Sequence, residues 1–278
     1  MNARFVFLGF AALCAALTSC SNGGSSGSSF FSSGPQVVRQ QGFECAYDDY
    51  VSTQFFTFDD KGRVRSVGVL DGENIFSIDR EFNNFYPYFA EGTFQTDSNG
   101  FVTSVRAKCY EGGSCSARFS YDEYGRLVAW RVKGAQGDAR ARYKRDAEGR
   151  IYGAAGQGER MHSIRDYATF ELPNKHALYT HAEADLLFGA EGWGDVLPDM
   201  FLAGLLGRPA NWLLTGIGSE ENEYELNDDG LILSEKLPDK PAFKFLYADD
   251  FTVSPDYAGQ AVQTTSRVDC KVIKPEEY

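Results

Sequence analysis

The segment FSYDEYGRLVAW has near-copies at FFTFDDKGRVRSV, YKRDAEGRIYG and YELNDDGLILS, and this repetition limits the possible folds more than any other feature of the chain. Aligned on the acid, the copies are Asp59-x-x-Gly62, Asp97-x-x-Gly100, Asp122-x-x-Gly125, Asp146-x-x-Gly149 and Asn227-x-x-Gly230. Each has an aromatic residue three positions upstream (Phe56, Phe94, Phe119, Tyr143, Tyr224) and Val, Leu or Ile five positions downstream (Val64, Val102, Leu127, Ile151, Ile232). An Asx side chain opening a four-residue turn can accept backbone N–H groups, and glycine at its close supplies positive φ. Every copy therefore predicts a tight β-hairpin.

The flanks alternate as half-buried strands should. Phe119 and Tyr121 oppose Arg118 and Ser120, and Val128, Trp130 and Val132 oppose Ala129, Arg131 and Lys133. Asp97, Asp122 and Asp146 are 25 and 24 residues apart. One period then holds an acid-led turn, an opposite turn and two strands of about eight to ten residues. LDGEN, YEGGSC and KGAQGD supply the opposite turns. The expected fold is all-β: an antiparallel meander of long hairpins, curled into a barrel-like or strongly bent sheet.

The first 19 residues read as a lipoprotein signal peptide, with Arg4 ahead of a short apolar run that ends in the lipobox-like LTSC at Cys20. Cys20 is the expected lipidated residue, and residues 20–36 form a Gly/Ser tether of flexible-coil composition. Residues 37–278 make one domain. The LTSC segment resembles the lipobox of bacterial lipoproteins. By the sorting pattern which that resemblance implies, Ser21 instead of Asp looks like passage to the outer membrane, and a tether lacking the acidic cluster of a surface-export signal favours the periplasmic face. Of six cysteines, Cys14 leaves with the signal and Cys20 takes lipid. Cys45, Cys109, Cys115 and Cys270 then read as two disulfides of an exported chain, with three pairings open. The two-glycine turn in CYEGGSC favours Cys109 with Cys115, which leaves Cys45 for Cys270.

The net charge of −12 argues against nucleic acid as a partner. One stretch runs the other way. Between Arg118 and Arg150 nine basic residues face five acids, and this excess reads as a solvated sheet face or as a site for anionic lipid headgroups or acidic glycans. Residues from about 183 to 218 break the β period and read as an irregular or helical insertion. Leu197 to Leu206 is apolar at helical spacing, Pro198 is tolerable in a first turn, and NWLLTGIG is a second apolar stretch. The insertion is a plug of the core or a lid over an apolar cavity, with Phe201, Leu205 and Trp212 as the lid residues. No G-x-S-x-G, H-E-x-x-H, phosphate loop or calcium loop is present, so no catalytic residue, metal or cofactor is expected.

YDEYGRLVAW is similar to the YD-type repeats of large bacterial surface proteins. The whole mature chain resembles a Bacteroides-type lipoprotein family of unknown function with a porin-like fold. That resemblance rests on the lipobox, the tether, the Asp-x-x-Gly hairpins and the late apolar segment LPDMFLAGLLGRPANWLLTGI followed by YELNDDGLILSEK. It implies an anchored envelope protein and carries over no catalytic residue. A transmembrane pore is the architectural rival, but the polar strand faces are filled by Lys and Arg, so a soluble, non-enzymatic body that binds or scaffolds is the expectation.

Overall fold

The computed structural model describes residues 40–46, 51–58, 63–69, 74–82, 89–109, 112–134, 137–189, 193–247, 251–253 and 262–264. The first strands are β1 (Gln40–Ala46), β2 (Val51–Phe58), β3 (Val64–Val69), β4 (Asn74–Ser77), β5 (Glu81–Phe82) and β6 (Phe89–Thr96). They continue as β7 (Val102–Cys109), β8 (Ser114–Tyr121), β9 (Leu127–Lys133), β10 (Ala139–Arg145), β11 (Ile151–Ala155), β12 (His162–Ser163) and β13 (Ala168–Pro173). Two helices follow, α1 (His181–Phe188) and α2 (Val196–Leu202). The chain then forms β14 (Trp212–Ile217), β15 (Glu220–Glu221), β16 (Glu223–Leu226), β17 (Ile232–Lys236), β18 (Phe243–Tyr247), β19 (Phe251–Val253) and β20 (Val262–Thr264).

All pairing is antiparallel. The sheets run β16-β17-β18-β1-β2-β3-β4, β12-β11-β10-β9-β8-β7-β6-β5, β13-β14-β15 and β19-β20. The meander therefore exists in two pieces, with a corner at Ile78 to Arg80 where Arg80 takes φ 84°. Backbone bonds from Ile78 N to Arg65 O and from Phe94 N to Arg80 O carry the chain across it. Among the described residues strand pairing gives open sheets and no closed barrel. The strands of the regular stretch, β6 to β11, are five to eight residues long, because the acid-led turn and the opposite turn take the rest of each period.

A bulge explains the repeated sequence. In each of the five hairpins the register shifts just before the acid, so that Phe58 pairs Val64, Thr96 pairs Val102, Tyr121 pairs Leu127, Arg145 pairs Ile151 and Leu226 pairs Ile232. The downstream member is the apolar residue five positions after the acid. Val102, Leu127, Ile151 and Ile232 are at most 2% exposed, and the upstream aromatics Phe56, Phe94, Phe119 and Tyr143 are buried beside them.

The inner faces close on α1 and α2. Trp130 Nε1 donates to Leu187 O at 3.0 Å and Tyr143 OH donates to the same carbonyl, so two strand residues satisfy a helix-end acceptor that has no intrahelical partner. Leu197, Met200, Phe201 and Leu206 are fully buried. Each such side chain contributes about 1.5–3 kcal/mol by leaving water.

One expectation about residues 183–218 is corrected. The helix expected over Leu197 to Leu206 is α2, which stops at Leu202 because the chain turns through Ala203 and Gly204, the latter at φ 77°. NWLLTGIG, the second apolar stretch, supplies a strand: Trp212–Ile217 is β14, bonded to β13. The insertion opens with α1, whose start is fixed by Thr180 Oγ1 accepting from Glu183 N at 3.3 Å. Cys109 and Cys115 form a disulfide across the β7–β8 turn, with Cα atoms 6.0 Å apart. Cys45 is buried in β1. Cys270, Cys20, residues 1–39 and the Asp59 to Gly62 turn lie outside the described residues.

Candidate functional site

The four described acid-led turns are built alike. Asp97 Oδ1 accepts from Asn99 N and Phe101 N, both at 2.9 Å. Asp122 Oδ1 does so from Tyr124 N and Arg126 N at 2.9 and 2.8 Å, Asp146 Oδ1 from Glu148 N and Arg150 N at 3.0 Å each. Asn227 Oδ1 accepts from Asp229 N and Leu231 N at 3.0 and 2.9 Å. The closing glycines Gly100, Gly125, Gly149 and Gly230 have φ between 78° and 90°. These side-chain oxygens are spent on the backbone, which leaves them poor metal ligands. At Asp146 burial pushes the carboxyl up, but the Arg150 side chain and the N–H groups of Arg150 and Glu148 outweigh it and hold the group below the usual carboxylate range.

The turns end on a common strap. The segment from Leu205 to Asn211 crosses them in succession: Val102 N donates to Leu205 O at 2.8 Å, Arg208 N to Gly125 O at 2.8 Å and Asn211 N to Glu148 O at 3.1 Å. Asn174 pins the far end, its Nδ2 donating to Ala210 O at 3.0 Å and to Leu178 O at 2.8 Å. A Cβ on Gly207 would stand 2.7 Å from Gly125 O and 3.0 Å from the Tyr121 ring, so only glycine fits there.

Beside the strap lies a cleft of about 410 Å³, walled by Phe56, Phe58, Phe101 and Leu205 and rimmed by Arg63, Asn99 and His176. Tyr179 borders it and donates its hydroxyl to Gly207 O at 3.1 Å; burial pushes its phenol well above the ordinary range. Aromatic walls with hydrogen-bonding groups at the mouth suit a small ligand that has one apolar face.

A second polar system is closed in. Glu235 is 0% exposed and accepts from His181 N at 2.8 Å, Ala182 N at 2.9 Å, His181 Nδ1 at 3.1 Å and Tyr224 OH at 3.1 Å. It thereby satisfies the start of α1 and meets the helix dipole with charge of the right sign. Burial first, and the Glu235 charge second, push the Tyr224 phenol up. Arg145 Nη1 donates to Glu183 Oε1 at 3.0 Å, with both side chains at most 4% exposed, and Ala210 N donates to Glu183 Oε2 at 3.0 Å. Neither Glu183 nor Glu235 lines the cleft. The arrangement ties meander, helix and strap together.

The basic stretch divides in two. Arg126 is buried against Gly149 and donates to Ala147 O at 3.0 Å, Arg145 is buried as described, and Arg150 pairs with Asp146 and Glu148 while its guanidinium stands 5.6 Å over Trp212. Arg118, Arg131, Lys133, Arg140, Arg142 and Lys144 are exposed on the outer face of β8 to β10. Arg118 lies directly opposite Arg131, and Arg131 opposite Arg140.

The sequence-singled lid residues part company. Phe201 is 0% and Leu205 2% exposed in the interior, whereas Trp212 is half-buried on β14 beneath Arg150. The sequence reading missed Tyr179, the strap and the Glu183–Arg145 pair. Thr180-x-x-Glu183 has the spacing of a capping box and could have revealed α1. Among the described residues no helix is long and apolar enough to cross a membrane.

No protein-family model matches the chain, and no curated protein does. Solved structures that are similar include a porin-like protein from Bacteroides uniformis ATCC 8492, with 12% identity, 75% of this chain and 96% of that chain covered, and a TM-score of 0.49. Another is a porin-like protein from Bacteroides vulgatus ATCC 8482, with 11% identity, 75% and 98% covered, and a TM-score of 0.41.

Proposed function

We propose that the chain is a lipid-anchored, non-enzymatic protein of the bacterial outer membrane, facing the periplasm, whose β domain is an envelope scaffold or binding body. In this reading the two pieces of the meander curl around α1 and α2, which act as a plug. The supporting observation is the occupied interior: Leu197, Met200, Phe201 and Leu206 are 0% exposed and Leu205 2%. A carrier of apolar cargo would need that volume. The polarity of the sheet also supports a body standing in water, since a membrane barrel turns apolar residues outward and polar ones inward. Here Phe119 and Trp130 point inward, and Arg118 and Arg131 outward. Native mass spectrometry with lipid extraction, on protein purified from its own envelope, tests this. No stoichiometric lipid beyond the covalent anchor is expected, and one non-covalent lipid per chain would overturn it.

The cleft favours a second reading, a glycan-binding protein that stacks a sugar on Phe101. Calorimetric titration with neutral and acidic oligosaccharides should then give heat that Phe101→Ala abolishes. Sidedness is separate: protease added to intact cells should spare the domain, and digestion without permeabilisation would place it outside.

A further inference from the structure

The outer face of β7 to β10 presents cations in register across neighbouring strands. One row reads Ser104, Arg118, Arg131, Arg140, and the next reads Thr93, Arg106, Ser116, Lys133. Rows of this kind repeat about every 4.8 Å across the sheet and about 6.8 Å along it. Like charges placed directly opposite on adjacent strands repel. Asp138 lies 3.9 Å from Arg131 and 3.8 Å from Lys133, while Arg106, Arg118, Arg140, Arg142 and Lys144 have no ion-pair partner among the described residues. The acids of this stretch do not dilute the face, because Asp122, Glu123, Asp146 and Glu148 sit in the turns at the sheet's end. In a chain of net charge −12 such a concentration of unneutralised cations is a segregated feature.

We propose that this face docks the domain on the anionic headgroup layer of the membrane that holds its anchor. The proposal rests on the anchored reading above. Three observations select a headgroup layer over an acidic glycan. The cations form a two-dimensional grid, as a planar array of phosphates requires. The paired positions between them are Thr93, Ser104, Ser116, Ser120 and Ala129, with no aromatic ring on which a sugar could stack. A depression lined by Gln95, Thr103, Ser104, Arg106, Ser116 and Arg118 sets the guanidinium groups of Arg106 and Arg118 beside the Ser116 hydroxyl, a donor set for a single phosphate, while the Thr103 and Ser104 hydroxyls donate to Gln95.

The test uses the full lipidated chain and vesicles of phosphatidylcholine alone or mixed with phosphatidylglycerol. The anchor contributes equally to both, so the difference reports the face. We expect a gain on anionic vesicles of at least about a hundredfold in partitioning, removed by high salt. The combined variant Arg118→Gln, Arg131→Gln, Arg140→Gln should lose that gain, at about fivefold per charge, while its melting temperature stays level or rises as the repulsion goes. Arg131→Glu, a change of two charge units at one position, is the smaller variant should the triple one express poorly, and it should lower the gain about 25-fold. Equal partitioning on the two vesicles, an undiminished gain in the variants, or binding of polygalacturonate that the anionic vesicles do not compete away would each overturn the proposal. Failure of the chain to stay on neutral vesicles would count against the anchor alone, and the anionic gain would still decide the face.

Discussion

Asp199 is the side chain whose ionisation should be most visible in stability measurements. Burial first, and the charge of Asp195 further, push its carboxyl up to about 7, although Gln54 Nε2 donates to it at 2.8 Å and opposes the shift. The folded chain therefore binds a proton that the unfolded chain has released between the ordinary carboxylate value of 3.8 and about 7. Stability from this group is greatest below that window and falls as pH rises through it. Urea unfolding between pH 4 and 8 should show the decline, and Asp199→Asn should flatten it. Asp146 works with the opposite sign: held below its ordinary value, it contributes stability at neutral pH that is lost on acidification. The Glu183–Arg145 pair is expected to be costly to break singly. Glu183→Gln leaves a buried guanidinium without its counter-charge, at about 3–5 kcal/mol, whereas replacing both partners with apolar residues should cost less than the sum. A double-mutant cycle by chemical denaturation measures the difference.

The hairpin is the element that was legible in advance, because its chemistry is local. An Asx acceptor, a glycine at positive φ and an alternating flank lie within a dozen residues of one another, and each hairpin repeats them. Asn227 supplies an internal control, since it accepts the same two N–H groups as the three described aspartates. Asp122→Asn should accordingly be nearly neutral, and Asp122→Ala should cost about 1–3 kcal/mol by leaving Tyr124 N and Arg126 N without an acceptor. Thermal melts of the two variants separate these outcomes. The strap was not legible. Leu205 to Asn211 has no period, and its partners Val102, Gly125 and Glu148 are distant in sequence and offer only backbone groups. The same holds for β14, whose apolar run fits helix or strand equally until β13 bonds to it. The basic stretch was visible as a count, but its division into buried Arg126 and Arg145 and an outer grid required the inward and outward faces of real strands.

For the molecule as a whole, the first strand is closed off by β18, so the chain returns to its own beginning after the helical insertion. Cys45 pairs across this seam with Phe243 in the backbone register. We expect non-reducing peptide mapping to recover Cys45 joined to Cys270 beside the Cys109–Cys115 peptide; a Cys45–Cys109 peptide would refute that arrangement.

The strap also sets how many hairpins this architecture can hold. Its contacts fall at Leu205, Arg208 and Asn211, three residues apart, with a bend at Leu206 and Gly207 at φ 95° between the first two. Successive turns on one end of the sheet are separated by two strands, about 10 Å. Each strap contact thus meets its own turn, in the order in which the turns follow one another. Tandem repeats usually lengthen by duplication, but here a duplicated hairpin between Asp122 and Asp146 would displace Glu148 by one full interval from Asn211. Copy number is consequently fixed in the middle of the array, and growth is permitted only at its edges, where no strap residue is counting.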